Sequence, residues 1–171
     1  MNPNAQPSKT TNDNGLRLGL TIAALAFLLD RISKWWLLDY VDMPSLIHID
    51  IAPFFNLVMV WNKGISFGMF SESGSSHKWV LTAISIVIVG VLVYWLYRTS
   101  NRLSAYAFGL IIGGAVGNIY DRVSYGAVAD FFDVHIAGFH WPAFNIADSA
   151  ITVGVALILL EAFLAREKPQ S

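Results

Sequence analysis

Long apolar stretches alternate with short polar ones along the chain, and the apolar stretches have the lengths of membrane helices. Trp79 to Tyr97 is 19 residues without a charge, Leu103 to Tyr120 is 18, and Ser149 to Ala165 is 17, interrupted only by Glu161. At ~1.5 Å per residue, 18 helical residues reach ~27 Å, enough to cross a thin bilayer. The first apolar run, Leu18 to Leu29, is shorter. A secretory leader is one reading of it. No small-residue cleavage site follows, however, and the pattern resumes after Asp30, Arg31 and Lys34 as Trp35-Trp36-Leu37-Leu38. Four membrane-crossing helices are therefore expected, at about 16–38, 78–98, 102–120 and 147–165.

The segments between the helices carry a different period. Ile47-His48-Ile49-Asp50-Ile51 alternates apolar and polar, and Asn56 to Trp61 is β-prone. Asn62-Lys63-Gly64 supplies a turn before a second apolar run, Ile65 to Phe70. Short strands and a hairpin are expected in a β segment at about 39–77, with Val128 to His135 as a further strand. The fold class is mainly α: a polytopic membrane protein with a small outward-facing β-sheet. Residues 1–15 are polar and read as a disordered cytoplasmic tail. Residues 16–166 read as a single membrane-embedded domain.

Composition sharpens this. The 171 residues are 55% hydrophobic and only 13% charged, against about 25% charged in soluble domains. Trp35, Trp36, Trp79, Tyr94, Trp95, Tyr97 and Tyr120 lie near the ends of apolar runs, where amphipathic rings settle at headgroup level. The net charge of −1, with no basic patch, argues against a nucleic-acid partner. The chain has no cysteine, which excludes disulfides, thiolate metal sites and a cysteine nucleophile. Lys9 and Arg17, Arg98 and Arg102, and Arg166 and Lys168 fall on one side of a four-span protein, which marks that side, and both termini, as cytoplasmic. The segments 39–77 and 121–146, richer in acids, then face outward.

Two of those acids could carry chemistry. Asp130 in Val-Ala-Asp-Phe-Phe-Asp-Val and Asp148 in Phe-Asn-Ile-Ala-Asp-Ser lie 18 residues apart in the segment that leads into the last apolar run. Either alone reads equally well as a solvated loop acid or, for Asp148, a helix N-cap. As a pair they suit general acid–base work. Two close carboxyls share one proton, the ionised one activates water, and the protonated one polarises a carbonyl. Asn118 and Arg122 are four apart and share one helix face, where they could hold the carbonyls of a peptide; Asn145 stands one turn before Asp148. Asp30 and Lys34 have the spacing of an intrahelical ion pair, and Asp121 could pair with a cation. The glycines of Gly113-Gly114-Ala115-Val116-Gly117 read as close helix packing. Asn62 is ordinary turn chemistry unless its hairpin folds over the acids. His135 and His140 with Asp133 lack a metal-binding helix motif, so no metal or cofactor is expected. Asp30-Arg31-Ile32-Ser33 is echoed by Asp121-Arg122-Val123-Ser124, but the helices between show no similarity and the echo reads as chance.

These motifs, taken in order, resemble the lipoprotein signal peptidases (signal peptidase II), a family of bacterial membrane aspartyl proteases. The resemblance rests on D-x-x-x-K at Asp30 to Lys34, N-x-G-x-x-F at Asn62 to Phe67, G-G-A-x-G-N-x-x-D-R at Gly113 to Arg122, and V-x-D-F-x-D-V followed by W-P-x-F-N-x-A-D ending at Asp148. It covers about residues 16–165. It implies a catalytic pair of Asp130 and Asp148. It implies substrate-binding roles for Asn62, Asn118, Arg122 and Asn145, and supporting roles for Asp30, Lys34 and Asp121. It also implies a diacylglyceryl-modified prolipoprotein as substrate, cut on the N-terminal side of the lipidated Cys. It implies inhibition by the cyclic peptide globomycin, contact with membrane lipids, and residence in the bacterial inner membrane with the active site at the outer face. Ala129, Trp141 and Ile65-Ser66 depart mildly from the family pattern. The rival classes are a proton-relaying secondary transporter, for which four helices are few and the acids lie at helix ends instead of the midplane, and a structural membrane subunit, which would not require Asp130 and Asp148 to converge.

Overall fold

The computed structural model describes residues 10–64 and 76–166. The order of elements is α1 (Thr10–Trp35), a π-helical turn (Trp36–Tyr40), α2 (Met43–Leu46), β1 (His48–Ala52), β2 (Phe55–Asn62), α3 (Ser76–Arg98), α4 (Arg102–Tyr125), β3 (Val128–Ile136), β4 (Phe139–His140) and α5 (Ile146–Arg166). Residues 10–15, assigned from composition to the tail, already belong to α1. The apolar run Ile65 to Phe70, expected as the second arm of a hairpin, lies outside the described residues.

Among the described residues, three helices are long and apolar enough to cross a membrane: Lys78–Arg98, Arg102–Ser124 and Ile146–Ala165. Helix α3 exposes Val80, Ile84, Ile86, Val87, Ile88 and Val91. A helix apolar on every side belongs against lipid. The seven tryptophans and tyrosines at the run ends are likewise exposed. Helix α4 is the central element and packs against α1, α3 and α5. Its glycines make that possible. A Cβ on Gly113 would collide with the backbone carbonyl of Ala23 in α1, and one on Gly114 with that of Ala147 in α5. Helix backbones approach this closely only where side chains are absent. Ala23, Leu92, Leu96, Ala105, Ile111 and Ile112 form the bundle core.

The sheet is antiparallel throughout, in the order β1-β2-β3-β4. It sits where α4 ends and α5 begins. A second core of Leu37, Met43, Ala129 and Phe131 ties it to the turn after α1. β3 has β2 on one side, pairing Val60 with Asp130 and Asn62 with Val128. On the other side its Phe131 and Phe132 amides both donate to the carbonyl of Phe144, just ahead of α5. β3 is thus enclosed on both edges. That is why residues 128–131 are all buried, Asp130 among them.

Candidate active site

Helix α5 opens on Asn145. The Ser149 amide makes the first helical bond to the Asn145 carbonyl at 3.1 Å. The Asp148 amide donates to the Asn145 side-chain oxygen at 2.8 Å, and the Asn145 amide donates back to Asp148 Oδ2 at 3.4 Å. This is a reciprocal capping box with amide and carboxylate in place of the usual hydroxyl and glutamate. The cap is therefore Asn145, not Asp148. Asp148 stands in the first turn, where the positive end of the helix favours a carboxylate.

The side-chain amide of Asn145, 1% exposed, faces the other acid. Its Nδ2 donates to Asp130 Oδ1 at 2.7 Å and also lies 3.2 Å from the Ala129 carbonyl and 3.3 Å from Asn118 Oδ1. Asn118 in turn donates to Asp148 Oδ1 at 2.8 Å. Two amides from α4 and the start of α5 therefore link the two carboxylates into one network. Asn62 completes it: its Nδ2 donates to Asp130 Oδ2 at 3.0 Å, while its oxygen accepts the Gly64 amide at 2.9 Å. Asn62 and Asp130 lie on one face of the sheet as diagonal neighbours. The hairpin residue that seemed ordinary turn chemistry thus reaches the acids.

Asp130 is 1% exposed and Asp148 is half-buried. Burial pushes the Asp130 carboxyl up to about 6, with the neighbouring charge of Asp148 adding to the rise; the bonds from Asn62 and Asn145 and the charge of Lys34 act against it. Arg122 lies near both acids without an ion pair among the described residues. Its Nη1 reaches only the Asn118 carbonyl at 3.4 Å, and its buried Nε has no hydrogen-bond partner there. A half-buried guanidinium with spare donors beside two carboxylates is free to bind a carbonyl oxygen.

Beneath the pair lies an ion cluster. Lys34 Nζ is 3.0 Å from Asp30 Oδ1 and 2.6 Å from Asp121 Oδ2. Arg31, which no sequence motif marks as a site residue, completes the cluster: its Nη2 lies 2.9 Å from Asp30 Oδ2 and 2.6 Å from Asp121 Oδ1. Charge parity was the available signal, since two buried acids need a second cation besides Lys34. His135 and His140 sit elsewhere, at the far end of β3 and on β4. His140 Nδ1 contacts Asp133 at 2.9 Å and the His135 and His140 rings stack at 4.7 Å. Among the described residues, no group of three or more such side chains could hold a metal ion.

Fold and site together define a multi-pass membrane protein with two amide-linked carboxylates at the sheet end of its helices. A family model for signal peptidase (SPase) II matches residues 22–164. The chain is 43% identical over 150 residues to a lipoprotein signal peptidase of Beijerinckia indica, covering 88% of this chain and 90% of the relative. To a lipoprotein signal peptidase of Vibrio cholerae it is 40% identical over 166 residues, 96% of each chain. A solved bacterial membrane enzyme, determined by the in meso method at 2.3 Å resolution, superposes with a TM-score of 0.73 at 30% identity, covering 90% of this chain and 93% of that one. The chain belongs to the signal peptidase II family and is a peptidase.

Proposed function

We propose that this peptidase removes the signal peptide from diacylglyceryl-modified prolipoproteins by a two-aspartate, water-activating mechanism, cutting on the N-terminal side of the lipidated Cys. The observation that carries the mechanism is the amide network that holds Asp130 and Asp148 as one unit. Asp148, half-buried in the first turn of α5, is placed to take a proton from water. Asp130, buried and proton-retaining, is suited to donate to the scissile carbonyl oxygen. After water attacks, the proton taken by Asp148 passes to the leaving amine as the C–N bond breaks, and the oxygen protonated by Asp130 returns its proton to Asp130 as the carbonyl re-forms. Arg122, Asn118 and Asn62 offer donors to the peptide backbone on either side of the cut.

The membrane arrangement extends the same reading. α1 is the fourth span: its 26 residues reach ~39 Å, and its charges Asp30 and Lys34 are buried against α4 instead of facing lipid. Arg17, Arg98 and Arg102 lie at the end away from the sheet, so that end faces the cytoplasm and the aspartates face outward across the bacterial inner membrane. Lipid-facing helices flank the site, which suits a substrate carrying acyl chains and an apolar cyclic-peptide inhibitor such as globomycin. The test is cleavage of a lipidated prolipoprotein by the wild type beside Asp130→Asn and Asp148→Asn. Both variants should insert normally and turn over nothing measurable. Substantial cleavage by either one rejects the two-aspartate mechanism.

A further inference from the structure

The ion cluster meets the polypeptide backbone at two points, and each belongs to the residue preceding one of the two aspartates. The Ala147 amide donates to Asp30 Oδ1 at 3.1 Å, and Ala147 precedes Asp148. The Ala129 amide donates to Asp121 Oδ2 at 3.2 Å, and Ala129 precedes Asp130. Lys34 Nζ contacts these same two oxygens. Arg31 closes the ring through the other two, with its guanidinium 4.6 Å above the Tyr120 ring.

We propose that Asp30, Arg31, Lys34 and Asp121 form a charge-neutral spacer that fixes the distance between Asp130 and Asp148, making all four positioning residues for the reaction. The proposal rests on the two-aspartate reading. Two elements distant in sequence, β3 and α5, are each pinned by a backbone amide to a carboxylate, and the two carboxylates are held by shared cations. Charge-assisted bonds of this kind are short and directional. Stability alone gives no reason for such a ring, because replacing buried ion pairs with apolar side chains is often neutral or stabilising. What apolar packing cannot do is accept two specific N–H groups at a set separation. Asp30 and Asp121 are 0% exposed and Lys34 1%, so the ring is shielded from water. Arg31, with a side chain 15% exposed, is its one member at the rim.

The rim position makes Arg31 the member to vary. Arg31→Met and Arg31→Lys, purified in detergent, are assayed on a lipidated prolipoprotein beside Asp130→Asn and Asp148→Asn. For Arg31→Met, kcat per folded enzyme should fall roughly tenfold to a hundredfold, the scale of an ångström-level misplacement. KM should stay within about twofold, since substrate contacts are untouched. Arg31→Lys should recover part of the loss, because the ammonium restores the charge but not both contacts. Lys34→Met gives a second readout. The Lys34 charge opposes the burial that holds Asp130 up at about 6; its loss should move the alkaline limb of the pH–rate profile to higher pH. If Lys34→Met does not fold, the Arg31 pair decides. Unchanged kcat in Arg31→Met, or a loss wholly explained by a smaller folded fraction, overturns the spacer. Turnover retained by Asp130→Asn or Asp148→Asn overturns the dyad instead, and the two failures are told apart in one assay.

Discussion

Asn145 holds Asp130 with its amide nitrogen at 2.7 Å and the backbone of Asp148 with its amide oxygen at 2.8 Å. One side chain therefore starts the helix that carries one aspartate and ties it to the other. The two duties separate by substitution. A serine at an N-cap accepts the helix amide about as well as asparagine, whereas alanine costs about 1 kcal/mol. Neither can donate to Asp130 as the amide does. Asn145→Ser and Asn145→Ala should lose activity to a similar degree, while only Asn145→Ala loses the additional stability. Melting temperature and kcat, measured side by side, check this. Recovery of activity in Asn145→Ser would mean that helix capping alone explains the residue.

Burial of Asp130 makes the stability of the fold depend on pH. Its carboxyl titrates near 6 in the folded protein, against 3.8 for an ordinary aspartate. Between those values the folded chain holds a proton that the unfolded chain has released, so stability falls as pH rises through the window. Above about 6 the full cost of a buried charge is present; below about 4 it is gone. The melting temperature of the wild type should therefore decline from pH 4 to just above 6, relative to Asp130→Asn, whatever the absolute stability of that variant. Each kcal/mol of relieved cost corresponds to roughly 2–4 °C in a chain of this size. Parallel curves across the window would show that Asp130 ionises as a solvated acid does. The pH–rate profile should be bell-shaped, with both apparent values belonging to the pair.

The helices were legible from the chain because apolar runs of 17 to 19 residues, interrupted once by Glu161, leave little alternative. Helix ends were less so: α1 begins inside the polar tail, since Thr10 to Gly15 continue a helix that composition alone does not favour. The strand at Val128 was legible from its β-prone residues, but its enclosure between β2 and Phe144 was not, because pairing between distant segments leaves no local pattern. Asp130, Asp148, Asn118, Asn145 and Asn62 all meet in one hydrogen-bonded network. What the chain could not reveal is which backbone amides the buried acids accept. That depends on tertiary approach, and Arg31 carries no local signal of its role because Lys34, four residues from Asp30, already offers that acid a cation.

Arg122 is the donor with capacity to spare at the site, and its loss should be felt in binding. A hydrogen bond to a charged group contributes about 1.5–3 kcal/mol. Arg122→Ala should therefore weaken globomycin binding by roughly tenfold to a hundredfold, with the fold intact because no described carboxylate is paired to it. Inhibitor titration followed by thermal shift tests this. Normal inhibitor affinity together with an early melt would place Arg122 in the scaffold.

Gly117 offers a probe of the spacer that changes no charge. A Cβ at this position would lie 2.6 Å from Asp30 Oδ2 and 3.4 Å from the Ala147 Cβ. Oδ2 is the oxygen held by Arg31, and the opposite oxygen of the same carboxylate accepts the Ala147 amide. The carboxylate has no room to retreat, being fully buried between α1, α4 and α5. Gly117→Ala should therefore push Asp30 off its partners, costing about 1–3 kcal/mol as overpacking does, and lowering kcat by more than the stability loss explains. Gly90→Ala is the matched control, because nothing lies within 4 Å of a Cβ there and the helix itself gains up to about 1 kcal/mol from alanine. Gly90→Ala should keep full activity and melt no earlier than the wild type. Equal activity in both variants would mean that the α4 glycine tolerates a methyl group, and that contact with Asp30 does not govern the aspartate pair.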